Sequence, residues 1–222
     1  MSDARHEPGY LPLNRSEALT DGIFAVAMTL LVIELKLPEH GLVHSAADLH
    51  AALLALLPKA IAWVLSFFVL ALFWIGHHRV FAYVRRADAR LVALNLLELA
   101  AASLMPFSSA LSGEFGGHLV SQVVYSTNMA ALGITALLVL RHVRSHPELC
   151  TAPMPLGAYE GARMRILGVV LVSAVAVVIT ALVPIAAIGN TAFMLMALIS
   201  PWSRRLERRH APAAIDPVAG KA

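Results

Sequence analysis

Asp21 is the residue whose position most calls for a chemical explanation. It stands with Gly22 at the mouth of a hydrophobic run that carries Thr29 in its middle, and Arg15 and Thr20 precede it. A carboxylate just inside a membrane span is costly, so it usually serves a site, a relay or a locked contact between helices. Arg15 and Asp21 lie about 600° of helical rotation apart, so they do not face each other as an i,i+4 pair would. Any contact between them runs through another helix or another subunit. A second hydrophobic run ends in Trp74, His77, His78 and Arg79. Asn95 and Glu98 sit in a third run at i,i+3 spacing, on one helix face. Glu98 there is either a proton or ion site or an interhelical hydrogen-bonding group. His142 and His146 have the i,i+4 spacing that lets two imidazoles grip one zinc, but they lack evident further ligands, and Pro147 stops the helix. No metal site, nucleophile elbow, phosphate loop or catalytic carboxylate pair is expected, so neither an enzyme nor a cofactor is indicated.

The elements that carry these residues must be membrane helices. Of 222 residues, 59% are hydrophobic and only 14% charged, and the mean hydropathy is +0.73. Soluble domains carry about a quarter charged residues. The pI near 9.4 and net charge of +3 could suggest nucleic acid. In a bilayer protein the placement of charge outweighs its sum, and no nucleic-acid partner is expected. Cys150 is the single cysteine and has no intrachain disulfide partner. Charged residues in the opening segment exclude the layout of a cleaved signal peptide.

A crossing helix needs roughly 20 apolar residues. Four candidates cover 19–37, 53–76, 91–111 and 119–140. The uncharged run 166–203 would be about 57 Å long as one helix, nearly twice the hydrocarbon thickness. Pro184 and the Gly189-Asn190 pair divide it into spans over 166–184 and 188–203. The basic residues agree with six crossings. Arginines cluster before the first span, between the second and third, between the fourth and fifth, and after the sixth. Only Lys36 and Lys59 of the 17 basic residues are left near the other side. The positive-inside rule then puts both termini in the cytoplasm. The expected organisation is a cytoplasmic arm over 1–13, an all-α integral membrane domain of six helices over 14–203, and a basic, then disordered, tail over 204–222. Asn14 and Glu17 fit a variant capping box that would start the first helix and put Asp21 in its second turn. By the topology, the start of span one and the end of span two share a level, so Asp21 can meet Trp74 or His77.

Along the first span Val26, Leu30 and Ile33 recur at i, i+4 and i+7 with Thr29 beside them, a stripe on one face. Such a stripe is ordinarily a packing surface. The stretch from Arg15 through Leu19, Thr20 and Asp21 resembles the Arg-x-x-x-Phe-Ser-Asp signature of the TMEM175 family of potassium channels. Threonine replaces its serine and leucine its phenylalanine. The FWIGHHRVF end of span two and the run from Asn95 to Phe115 are also similar to that family. The resemblance implies a bacterial-type, six-helix, homotetrameric channel of the cell (inner) membrane that passes potassium ions. It also implies a polar network of Arg15, Thr20, Asp21, Trp74 and His77 that holds the helices. Pore rings carried over by distance from Asp21 fall on Val26, Leu30 and Ile33, with Thr29 at the polar position. No TVGYG-like filter occurs in the chain, so selectivity would arise from aliphatic constriction and hydroxyl oxygen instead. Gly22, Ala25 and Ala27 would permit close approach near the axis. The alternative is a proton-coupled secondary transporter titrating Asp21 or Glu98. Such folds usually show repeats, and none is visible here.

Overall fold

Hydropathy fixes most of the architecture. A computed structural model describes residues 10–11, 13–37 and 43–183. In chain order they form β1 (Tyr10–Leu11), α1 (Leu13–Ile33), α2 (Ala46–Ala55), α3 (Leu57–Phe81), β2 (Ala87–Asp88), α4 (Ala89–Ser103) and α5 (Met105–Glu114). These are followed by α6 (Leu119–Ser145), a 3-10 turn (Pro147–Leu149) and α7 (Leu156–Leu182). Counting α4 and α5 together as Ala89–Glu114, five helices among the described residues are long and apolar enough to cross a membrane. The expected span over 188–203 and the tail beyond it lie outside the described residues.

The local sequence explains the element boundaries. Pro58 sits in the first turn of α3 and Pro106 in the first turn of α5, where a missing N–H costs nothing. Pro106 has no N–H to give to the preceding turn, and the third crossing is divided at Leu104, which ends α4 with its N–H on Ala100 O and Ala102 O. Ser45 caps α2, its hydroxyl accepting from the Asp48 N–H at 3.1 Å. Asp88 caps α4 by accepting from the Leu91 N–H at 2.7 Å.

Three expectations shift. α1 starts at Leu13, so Asn14 lies inside the helix, where its Oδ1 accepts from the Arg15 N–H at 2.9 Å. The capping box is not used, and Asp21 falls deeper than the second turn. The second hydrophobic run, expected from 53, is two helices divided before Pro58. α7 starts well before 166 because an amphipathic first half extends the apolar run. There Arg163 pairs with Glu160 at 3.2 Å, and Tyr159 and Ile166 pack inward.

The core has two parts. The larger one joins α1, α3, α4, α5, α6 and α7 around Phe24, Leu31, Leu70, Met105, Tyr125 and Met129. The second lies at the arginine-bearing end around Phe81, Leu91, Leu140, Val143 and Leu149. Backbone ties close that end. β1 pairs antiparallel with β2, Tyr10 opposite Asp88, and Val84 bridges to Cys150. The Arg85 N–H reaches Leu149 O at 2.7 Å, and the Thr151 N–H reaches Tyr83 O at 2.9 Å. Inside the bundle, hydroxyls replace water as partners. The Ser66 hydroxyl meets Ser109 Oγ at 2.8 Å and Tyr125 Oη at 3.0 Å, knitting α3 to α5 and α6. Gly113 lets the backbones of α3 and α5 approach closely, since a Cβ there would lie 3.0 Å from the Lys59 Cα.

Candidate functional site: an uncovered helix face and its polar anchor

α1 has one packed face and one bare one. Thr20, Phe24, Ala27 and Leu31 are buried, and at roughly 100° per residue they share a narrow arc. Opposite them, Val26 is 55% exposed and Ile33 59%, and Thr29 and Gly22 are exposed on the same arc. Leu30, 42% exposed, lies on the flank of that arc. The Thr29 hydroxyl donates to Val26 O at 2.8 Å, which leaves its oxygen free to accept from, or coordinate, whatever lies beyond the face. All four residues of the stripe are therefore brought to one uncovered surface.

The N-terminal half of α1 is fixed to its neighbours by short polar bonds, one exposed and the others inside the bundle. Asp21 Oδ1 accepts from Trp74 Nε1–H at 2.8 Å, tying α1 to α3. The Trp74 ring stacks on His78 with centroids 6.0 Å apart. Thr20 Oγ1 donates to Ser16 O at 2.9 Å and accepts from Asn95 Nδ2 at 3.0 Å. The same Asn95 amide reaches Ser16 Oγ at 3.0 Å, so one α4 side chain clasps two turns of α1.

His77 turns away from Asp21. Its Nδ1 stands 3.4 Å from Glu98 Oε2, and its ring stacks on Phe81 at 4.0 Å, tying α3 to α4. Glu98 is 1% exposed. Arg15 is exposed, and its guanidinium joins none of these contacts among the described residues. Of the five anchor residues expected from sequence, Asp21 and Trp74 meet directly. Thr20 joins through Asn95, His77 through Glu98, and Arg15 stands apart. Asn95 is the piece that sequence reasoning missed. Its pairing with Glu98 on one face was legible, but its partner across 75 positions of chain was not.

The histidine pair is tied to the start of α4. His142 Nε2 lies 3.0 Å from Asp88 Oδ2, and the His142 and His146 rings lie tilted to each other with centroids 4.1 Å apart. Burial opposes the Asp88 charge, but the Leu91 N–H and the nearby His142 outweigh it and hold the carboxyl below its ordinary value. At the opposite end, the Ser45 hydroxyl and the His44 N–H likewise lower Asp48.

Comparison with known proteins identifies the relatives of this chain. Residues 15–106 match the family Endosomal/lysosomal potassium channel TMEM175. A potassium channel of Streptomyces collinus is 34% identical over 156 residues, 68% of this chain and 74% of that one. A potassium channel of Chamaesiphon minutus is 36% identical over 138 residues, 61% of this chain and 68% of that one. The crystal structure of a lysosomal potassium-selective channel TMEM175 homolog from Chamaesiphon minutus superposes with a TM-score of 0.71. It does so at 28% identity, over 86% of this chain and 97% of that one. By sequence and by architecture alike, this multi-pass membrane chain belongs to the TMEM175 family of ion channels.

Proposed function

We propose that the chain conducts potassium ions passively across the cell (inner) membrane as a homotetramer whose axial pore is lined by α1. The observation that carries this reading is the bare stripe of Val26, Thr29, Leu30 and Ile33, backed by a face locked into the core. One helix per chain cannot enclose a hole. Cyclic closure around a shared axis is the simple way to give such a face a partner. In that arrangement the aliphatic side chains form narrow apolar rings that gate by excluding water, and Thr29 supplies oxygen to a partly dehydrated cation. The small residues Gly22 and Ala25, exposed on the same side, allow close approach near the axis. The similarity to proteins named potassium channels supports the choice of ion. The sixth span over 188–203 and cytoplasmic termini follow from the arginine distribution and belong to the same proposal.

The proton-coupled transporter reading has less support. It needs Asp21 or Glu98 as a free titrating group, but Asp21 is engaged by Trp74 and Glu98 faces His77.

Thiol chemistry separates a pore from a lipid-facing surface. Cys150 is the single cysteine and is buried, so a thiol placed on α1 reports alone. In Thr29→Cys and Ile33→Cys channels reconstituted in liposomes, a membrane-impermeant cationic thiol reagent is expected to block potassium flux. Unmodified thiols with unchanged flux would place the stripe against lipid and defeat the proposal. Leu30→Ala is expected to alter flux by widening the constriction, and unchanged flux and block would remove Leu30 from the pore lining.

A further inference from the structure

Two clefts open at the end opposite the arginines and share a wall. One, of about 400 Å³, lies between the end of α1, the first turns of α3, and α5, with Glu34, Trp63 and Phe107 in its lining. The other, of about 590 Å³, lies between α2, the start of α3 and the α5–α6 turn, and includes Lys36. Lys59 and Glu114, ion-paired between α3 and α5, line both. Lys36 and Lys59 are also the two cations that the sequence leaves at this end of the molecule.

Trp63 supplies the second observation. Its Nε1 is buried and has no acceptor among the described residues. A buried indole N–H ordinarily finds a partner, and an unanswered one is costly. It lies about 9 Å along α3 from that helix's first residue, near one end of a crossing helix, where amphipathic aromatic rings favour the membrane interface. Phe107, in the same lining, is more than half exposed, an apolar flank of the kind acyl chains cover.

The charges select among ligands. Lys36 and Lys59 balance Glu34 and Glu114, so the walls carry no net charge that would draw a simple anion. They suit a group that bears both signs a few ångströms apart. We propose that these clefts hold the headgroup of a phosphatidylethanolamine lipid. The phosphate oxygens accept from the ammonium groups of Lys36 and Lys59. A phosphate or ester oxygen accepts from Trp63 Nε1–H, and the lipid ammonium donates to Glu34 and Glu114. Bound there, the lipid braces the last turn of α1 through Leu31 and Leu35, which line the same cleft. The inference does not depend on what the pore conducts.

The test is native mass spectrometry of the purified full chain with phosphatidylethanolamine, phosphatidylcholine, phosphatidylglycerol and tailless O-phosphoethanolamine. Phosphatidylcholine keeps the phosphate but cannot donate to the carboxylates. Phosphatidylethanolamine is expected to be retained about fivefold over the other two lipids, the worth of roughly one hydrogen bond. Trp63→Phe, which removes only the N–H, and Lys36→Gln on the exposed rim should each lower that retention about threefold or more. If Trp63→Phe does not fold, Lys36→Gln decides alone. Equal retention of all three lipids, or undiminished retention in the folded variants, would overturn the proposal. So would binding of O-phosphoethanolamine as tight as that of the lipid, which would make the ligand a soluble phosphoamine.

Discussion

The two ends of the bundle are built to different standards. At the arginine-bearing end, a strand pair, a backbone bridge and four side-chain ties connect α1, α3, α4 and α6: Asp21–Trp74, Thr20–Asn95, His77–Glu98 and His142–Asp88. At the other end, α2 buries no residue and two clefts open beside α3 and α5, which meet there at Gly113 and through Lys59–Glu114. α1 runs between these regimes. Its first half is clasped and its last turn borders an open cleft. In a helix proposed to line a pore, this puts rigidity near the arginines and freedom at the far mouth.

Substitutions can break or sharpen that contrast. The largest effect is expected for Asn95→Leu, which leaves Thr20 and Ser16 without their shared donor inside the bundle. A loss of about 2 kcal/mol is expected in thermal or denaturant unfolding of detergent-solubilised protein. A change within the noise would show that the clasp does not hold α1. Trp74→Phe keeps the ring and deletes the N–H that answers Asp21. About 1 kcal/mol is the expected cost, in line with hydrogen bonds measured inside membrane proteins. The Lys59→Gln variant at the loose end should cost less than about 1 kcal/mol, as solvent-accessible ion pairs do. If it cost more than Asn95→Leu, the ranking of the two ends would be reversed.

Acid gives the smallest and most local effect. The Asp88 carboxyl is held below its ordinary value of 3.8, so its folded-state pKa is depressed. Its contribution is complete above that value and fades as pH falls through the folded pKa. Unfolding measured between pH 5 and pH 3, about one unit to either side, should show a downward step. Asp88→Asn should flatten that step by removing the titrating group.

How much of this was legible in the sequence depended on the range of the signal. Hydropathy and arginine placement located the long helices because both are local and repeated. The meeting of Asp21 and Trp74 followed from topology alone, since the start of one span and the end of the next share a level. The choice of Glu98 over Asp21 by His77 did not follow, because it depends on which helix lies behind α3. The division at Leu104 and the separation of α2 from α3 were marked by Pro106 and Pro58. Continuous apolar composition on both sides hid them. Similarly, apolar counting stopped at Arg165 although α7 begins at Leu156, since Glu160, Arg163 and Arg165 interrupt the apolar run without ending the helix.

The division at Leu104 gives the third crossing two segments that meet α1 at different heights. The clasp from Asn95 comes from the segment before it, whereas Phe107 and Glu114, across the cleft from Glu34, come from the segment after it. A substitution in one segment is therefore expected to reach one extremity of α1 before the other.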